Sequence, residues 1–372
     1  MSSVANNTVL DDIGAEVLCD LVDTATTRVP ANINAVAFAN EGHAFAVALG
    51  NGQLGMGHLK PATLASTSGR RCAIGVPVVD LHERHRVAAV DVRAYRDAFV
   101  SSGQDGTVIV TPFDEPRSGG LLWSTDGDWI ESIAVHDKAG LVAIAAGRSC
   151  VAVAPETGEI VTRIDLDHSI SQVVFDRDGK RVALAHYGGV SLVELGGGSV
   201  EHRLEWKGAH IGVTWSPDNR YVVSATQEKE LHIWDLVTMR DLRMGGYQRK
   251  THQMDWMSSD DMLVCSGSDV VTAWSFAGSG PGGRPPVEIG FVFGATVTAV
   301  AAHPLRNYVA AGFSSGNVLI GATVKGEAVV AQARTQAPIT SLAWSSDGSI
   351  LAAGDQRGGI ACMSVPAELP VR

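Results

Sequence analysis

Residues 215–235 read WSPDNRYVVSATQEKELHIWD, and this stretch carries the pattern that organises the whole chain. Trp215 ends one predicted β-strand, and a small residue, Ala225, lies ten positions later in a second strand. Glu228-Lys229 then occupy a tight turn, and Leu231–Ile233 form a third strand. The stretch therefore predicts three short strands that are joined by two turns.

The same pattern recurs along the chain, counted from the bulky or aliphatic residue that closes the first strand of each unit. The eight anchor residues are Phe38, Val92, Val135, Phe175, Trp215, Trp256, Ala302 and Trp344. They stand 54, 43, 40, 40, 41, 46 and 42 residues apart. Each anchor has an aliphatic residue or Met two positions before it and a small residue ten positions after it. The small residues predict that neighbouring backbones approach closely there.

Units of this length and strand count are typical of the blades of a β-propeller. No segment shows a sustained helical period, so we expect an all-β chain. One blade cannot bury both of its faces, whereas blades packed in a ring cover each other. The sequence therefore predicts a closed propeller of eight blades, with seven as the alternative if the first step, which includes Lys60–Arg71, marks a spurious unit.

The last unit predicts how the two ends of the chain meet. It stops after its third strand, at Ile360–Met363, and prolines in the tail disfavour a further regular strand. Either Glu16–Val22 or Thr24–Val29 is expected to supply the missing strand and to close the last blade. The predicted organisation is a tail over residues 1–14, one propeller domain over residues 15–366 and a tail over residues 367–372.

Two units resemble a known repeat. The fifth unit ends in Trp234-Asp235 and looks like a WD repeat, and the eighth is similar in Leu342–Gly348. Through period and pattern the resemblance covers nearly the whole chain, although no unit carries a Gly-His pair where WD repeats usually have one. The resemblance implies a non-catalytic platform on which other proteins dock.

Charge and composition exclude several classes of partner. The chain has 372 residues, of which 29 are basic and 40 acidic, with a formal net charge of -11. With no run of basic residues, this argues against nucleic acid or an anionic membrane as partner. The first twelve residues hold no long apolar stretch, so we expect no signal or anchor and a cytoplasmic location. The five cysteines lie far apart without a C-x-x-C pair and are expected to be reduced thiols, mostly buried.

The common catalytic and cofactor motifs are missing from the sequence. There is no G-x-S-x-G, H-E-x-x-H, phosphate-binding loop or acidic calcium loop, so no cofactor is expected. Gly278–Gly283 is interpreted as a flexible loop. His82-Glu83-Arg84-His85 is interpreted as an exposed loop pair of histidines that lacks a third metal ligand.

The histidines show a more informative pattern. The turn after the second strand and the start of the first strand share one end of a propeller, and His168, His186, His210 and His252 are predicted there on blades four to six. His43, His136 and His303 are predicted at the other end. The residue five positions before the anchor is apolar in six units: Ile33, Val87, Ile130, Ile170, Val297 and Ile339. In the fifth and sixth units it is His210 and Thr251, and such local breaks are where function is expected.

Three hypotheses remain open at this point. In the first, one end of the propeller docks a partner protein through Trp129, Arg148, His186, Tyr187, His210, Glu228, Thr251 and His252. In the second, the protein is an enzyme or handles metal, and His168, His186, His210 and His252 converge. In the third, His210 only hydrogen-bonds to a neighbouring blade and Thr251 caps a strand. The second hypothesis needs three imidazole nitrogens around 2 Å from one point.

Overall fold

The structure is a computed structural model that describes residues 22–40, 44–59, 76–257, 261–323 and 326–369. These residues form thirty β-strands and one short 3-10 turn, and they contain no α-helix. The all-β prediction is confirmed. No helix among the described residues is long and apolar enough to cross a membrane.

The strands pair with their neighbours in chain order. The first strand of the chain is β1 (Asp23–Arg28). The first sheet contains β2 (Ile33–Phe38), β3 (Ala44–Leu49), β4 (Gln53–His58) and β5 (Val78–Glu83). The second contains β6 (Ala89–Tyr95), β7 (Ala98–Gly103), β8 (Thr107–Pro112) and β9 (Gly120–Ser124). The third contains β10 (Ile130–His136), β11 (Leu141–Ala146), β12 (Ser149–Ala154) and β13 (Glu159–Asp165).

Four further sheets follow. The fourth contains β14 (Ile170–Phe175), β15 (Arg181–Glu194), β16 (Val200–Trp215), β17 (Tyr221–Thr226), β18 (Leu231–Asp235) and β19 (Arg240–Met244). The fifth contains β20 (Met254–Trp256), β21 (Met262–Cys265), β22 (Val270–Ser275) and β23 (Val287–Phe291). The sixth contains β24 (Val297–Ala302), β25 (Tyr308–Phe313), β26 (Val318–Ala322) and β27 (Ala328–Gln332). The seventh contains β28 (Ile339–Trp344), β29 (Ile350–Asp355), β30 (Gly359–Ser364) and β1.

The predicted number of blades is wrong: over its described residues the chain forms seven hydrogen-bonded sheets, not eight. The reason is that the fourth and fifth sequence units share one six-stranded sheet. β15 continues through Gly188 and Gly189, both at positive φ, and β16 runs without a break from one unit into the next. The first unit, which the sequence marked as the one to doubt, is a complete four-stranded sheet.

The chain's first described strand completes the last sheet. β1 pairs antiparallel with β30, from Asp23 opposite Ser364 to Arg28 opposite Gly359. Of the two predicted segments, the pairing strand is therefore the one near Thr24–Val29; the other lies almost wholly outside the described residues. Closure of all the sheets into a ring stays a prediction.

Neighbouring sheets are joined by a hydrogen bond that recurs at one position of the repeat. The chain divides into two compact units, one drawn from residues 1–47, 56–80 and 253–372 and the other from residues 48–55 and 81–252. In both, a Ser or Gln side chain three positions before the anchor accepts a hydrogen bond from a backbone N–H of the next sheet or repeat. The pairs are Ser132 with Val173 at 3.3 Å, Gln172 with Val213 at 2.6 Å, Gln253 with Val300 at 3.0 Å and Ser341 with Val36 at 3.0 Å.

The apolar core lies between successive sheets. Ala145 of the third sheet packs in one buried cluster with Ile170 of the fourth, and Ala310 of the sixth with Ile339 of the seventh. A Cβ built on Gly354 would lie 2.5 Å from Cγ2 of Ile33, because the large residue of one sheet fills the space that the small residue leaves. The small residue therefore makes room for a large side chain of the neighbouring sheet, and the close approach of backbones stays a prediction.

The second unit corrects one detail of the sequence pattern. Val87 is half exposed, and the buried residue at that position is Ala89. The hairpin between β6 and β7 pairs Ala94 with Phe99, five residues apart, whereas the next hairpin pairs Val135 with Val142, seven apart. The anchor of this unit is therefore Ala94, two residues after Val92. The sequence pattern missed this shift because the turn that follows is shorter.

The tight contact predicts a steric cost for a larger side chain. We expect Gly354→Val to lower the free energy of unfolding by about 1–3 kcal/mol, because the new side chain overpacks against Ile33. Gly120→Val is the matched control, since a Cβ there has no atom within 4 Å. Urea unfolding of both variants measures the difference. Equal stability of the two variants would contradict the packing described here.

Candidate functional site

The predicted docking residues differ in how far they are exposed to solvent. Trp129, Arg148, Tyr187, Glu228 and His252 are exposed, and His186 is half-buried. The side chain of Trp129 is 58% exposed and that of Tyr187 is 60% exposed, which is unusual for large aromatic residues. His210 and Thr251 are each 1% exposed, so their side chains do not form part of the protein surface.

The exposed loops lie next to each other within the second compact unit. Gly147, which precedes Arg148, packs against the carboxylate of Asp128, which precedes Trp129. The carbonyl of Arg148 accepts a hydrogen bond from the N–H of Leu166 at 2.9 Å. The loop that follows carries His168, whose ring meets that of Tyr187 at 5.5 Å. The loops that carry these exposed side chains therefore lie one beside the next across the third and fourth sheets.

The row continues to the turn after β17. Tyr187 pairs with Ala209, and a Cβ on Gly208 would lie 2.9 Å from the carboxylate of Glu228. We call Trp129, Arg148, His186, Tyr187 and Glu228 the loop row. His252, the remaining exposed residue of the prediction, lies later in the chain, at the end of the same compact unit.

His210 has a structural role, and its hydrogen bonds explain why a histidine stands where six units have an apolar residue. Its Nδ1 lies 2.7 Å from the hydroxyl of Ser224, and its Nε2 lies 3.1 Å from the carbonyl oxygen of Trp206. Burial lowers the pKa of His210 and favours the neutral ring, which donates to the carbonyl and accepts from the hydroxyl. An apolar side chain could make neither bond. His210 therefore ties the backbone at Trp206 to β17.

The four histidines of the metal hypothesis do not converge. The rings of His168 and His186 stack with centroids 6.3 Å apart. Both nitrogens of His186 are already engaged, with the Tyr187 carbonyl at 2.8 Å and the Ser191 hydroxyl at 2.9 Å. His210 is held as described above. Across the part of the chain that the structure describes, no three His, Cys, Asp or Glu side chains are placed to hold a metal ion.

The interpretation of His82 and His85 as an exposed loop pair is also wrong. His82 and Glu83 belong to β5, and His85 is buried. Nε2 of His85 lies 2.9 Å from the Ser101 hydroxyl and Nδ1 lies 2.9 Å from that of Thr107. Burial lowers the pKa of His85. Like His210, it joins neighbouring strands by hydrogen bonds.

The described histidines of the opposite predicted end are structural as well. Nε2 of His136 lies 3.0 Å from the carbonyl of Arg177, and Nε2 of His303 lies 3.1 Å from that of Gly348. Each ring also packs against the anchor residue of the following unit, Phe175 or Trp344. His43 lies outside the described residues.

A pocket that the sequence did not predict opens beside the loop row. It has a volume of about 680 Å³ and is lined in part by His168, His186, Tyr187, Arg203, Trp206 and Lys207. It opens where the register slips: Gly189 pairs with Glu205 and Tyr187 with Ala209, so residues 206–208 lie opposite Gly188 alone. The signals in the sequence were the Gly188-Gly189 pair and the histidine at position 210.

A buried histidine supports one wall of the pocket. The ring of His232 stacks on that of Trp206 with centroids 4.0 Å apart and an interplanar angle of 19°. Burial is the main cause that lowers the pKa of His232 to about 4, although Asp241 lies 2.9 Å from its Nε2 and opposes the shift. The neutral ring therefore backs Trp206 at physiological pH.

Comparisons with known proteins identify the repeat. The sequence model "WD domain, G-beta repeat" matches residues 201–235 and 330–360. A computationally designed protein, Ika8, is 18% identical with a TM-score of 0.73, covering 91% of this chain and 98% of its own. The C-terminal WD40 domain of Sif2 is 12% identical with a TM-score of 0.70, covering 93% and 99%. The β-propeller domain of Cps50 (Swd1) from Myceliophteria thermophila is 17% identical with a TM-score of 0.59, covering 75% and 96%. No curated protein matches the chain.

The repeated antiparallel sheets and these structural matches define the class: the chain is an all-β propeller protein. The matched sequence model shows WD repeats over residues 201–235 and 330–360, and the first of these stretches ends in Trp234-Asp235. The chain therefore carries divergent WD repeats on a β-propeller fold.

The buried His232 predicts how stability depends on pH. Its pKa is about 4 when folded and near the ordinary 6.5 when unfolded, so the unfolded chain binds a proton first as the pH falls. Stability is then lost below about pH 6.5. We expect His232→Phe to remove roughly 2 kcal/mol of the loss between pH 7 and pH 5, measured by urea unfolding. His202→Phe, at an exposed histidine on β16, is the control. A wild-type pH dependence in His232→Phe would contradict this.

Proposed function

We propose that this protein is a non-catalytic interaction scaffold that docks a partner protein on the loop row, extended by His252. The observation that supports this most is the continuity of the row: Trp129 and Tyr187 are mostly exposed, and adjacent loops of successive sheets connect them. Trp, Tyr and Arg are the residue types that most often contribute binding energy at protein interfaces. His210 is buried and supports the neighbouring backbone through its hydrogen bond to the Trp206 carbonyl.

The sheets beneath the row favour a rigid platform over a flexible one. The loops of Arg148 and Glu228 connect strands whose central residues are buried, and hydrogen bonds join one repeat to the next. We propose that the sheets close into a ring, since the Thr340 hydroxyl donates to the Ile33 carbonyl at 2.6 Å and brings the last sheet beside the first. Loops fixed in this way lose little conformational entropy when a partner binds.

The non-catalytic part of the proposal is supported by how the histidines are used. His85, His136, His186, His210 and His303 all make hydrogen bonds that hold strands or loops. A general base needs a nitrogen that can reach a substrate proton, and these nitrogens face backbone carbonyls and hydroxyls instead. A cytoplasmic location is proposed because Cys150 and Cys362 are buried thiols that form no disulfide.

Affinity capture with purified protein as bait tests the scaffold. The test variant is Trp129→Ala/Tyr187→Ala, and the control is Val237→Ala/Met239→Ala, which removes equally exposed apolar side chains from the turn between β18 and β19. We expect at least one partner to bind the wild type and the control alike. That partner, once purified, should bind the test variant at least tenfold more weakly, a loss of about 1.4 kcal/mol or more.

Two outcomes would contradict the proposal. One is that all three baits capture the same proteins with the same affinity. The other is that the control loses the partner and the test variant keeps it. Circular dichroism and urea unfolding establish that both variants remain folded, and exposed sites of this kind are expected to change stability by less than about 0.5 kcal/mol.

A further inference from the structure

The pocket beside the loop row differs in charge from the rest of the protein. The chain as a whole carries 29 basic and 40 acidic residues. The pocket lining contains two permanently charged cations, Arg203 and Lys207, and one carboxylate, Glu205. A locally positive site on an acidic protein favours a ligand with negative charge.

The two cations have little internal compensation. The nearest carboxylate oxygen to Arg203 belongs to Asp167, which is 85% exposed and lies 4.0 Å away, at the outer limit of an ion pair. Among the described residues, Lys207 has no ion pair. Arg203 and Lys207 are both exposed on β16. Both cations are therefore available to an incoming carboxylate.

Aromatic side chains flank these cations. Tyr187 is mostly exposed at the rim, where its ring meets that of His168. Trp206 is half-buried in the wall, and the stack with His232 and the His210 hydrogen bond to its carbonyl keep it in place. The pocket thus combines flat apolar surfaces with positive charge within one short stretch of chain.

We propose that this pocket binds an extended acidic segment of the partner protein. The side-chain carboxylate of an Asp or Glu would pair with Arg203 and Lys207, and a neighbouring aromatic or large aliphatic side chain would lie against Tyr187 and Trp206. A volume of about 680 Å³, open to solvent on one side, accommodates a few residues of extended chain rather than a folded surface. This inference rests on the proposed scaffold function and specifies the chemistry of its partner.

The test selects peptides from a random seven-residue library displayed on phage, with the full chain immobilised. The affinity of the best peptides is then measured by fluorescence polarisation. The test variant is Arg203→Gln/Lys207→Gln. The control, Arg240→Gln/Arg249→Gln, removes the same charge from exposed arginines that do not line the pocket.

We expect the selected peptides to contain Asp or Glu beside an aromatic or large aliphatic residue. Their affinity should fall at least tenfold in the test variant and less than twofold in the control. It should also weaken as the salt concentration rises, because both cations are exposed and their ion pairs are screened. Selection of neutral or basic peptides, failure to select any peptide, or equal affinities for the two variants would overturn the inference.

Failure of the acidic-segment proposal can be distinguished from failure of the scaffold proposal. Suppose that Trp129→Ala/Tyr187→Ala loses a captured partner while Arg203→Gln/Lys207→Gln binds it normally. The proposal that the pocket binds an acidic segment is then wrong, and the scaffold proposal is supported. If neither double variant affects capture, both proposals fall.

Discussion

Close approach between neighbouring sheets is the constraint on which the rest of the structure depends. A small residue on the second strand of one unit leaves room for a large apolar residue of the next, as Gly354 does for Ile33. This contact brings the sheets near enough for Ser or Gln side chains to accept hydrogen bonds from backbone N–H groups across the gap. These N–H groups lie on the first strand of their units, where such a group would otherwise be unpaired, so packing and hydrogen bonding depend on each other.

The pocket forms beside a unit in which a histidine, not a large apolar residue, occupies the position that packs between repeats. In the fifth unit a histidine replaces the large apolar residue, and its ring bonds to Ser224 and to the backbone at Trp206. The two adjoining units share one sheet there, and a register slip leaves residues 206–208 opposite a single glycine. A departure from the repeat thus supplies both an opening in the surface and the hydrogen bonds that hold its wall.

The period of the sequence was sufficient to predict the strands and the small residues, because these depend on spacing. The missing fourth strand of the last unit limited the partner of β30 to two N-terminal segments, of which the structure shows the one near Thr24–Val29. The period could not predict where one sheet ends and the next begins, because Gly188 and Gly189 can serve equally in a turn or in a continuous strand. Turn length was also hidden, and it moved the buried position from Val87 to Ala89. The break at His210 was found correctly, but its burial depends on partners such as Ser224 and Trp206 that only the fold brings together.

Native-state hydrogen exchange at the amides of Val36, Val173, Val213 and Val300 tests the contact between sheets most directly. These N–H groups bond to side chains of neighbouring repeats. We expect exchange about as slow as that of amides in the buried second strands, and faster exchange at Val36 in Ser341→Ala. Rapid exchange of these amides in the wild-type protein, at the rate of exposed edge strands, would contradict it.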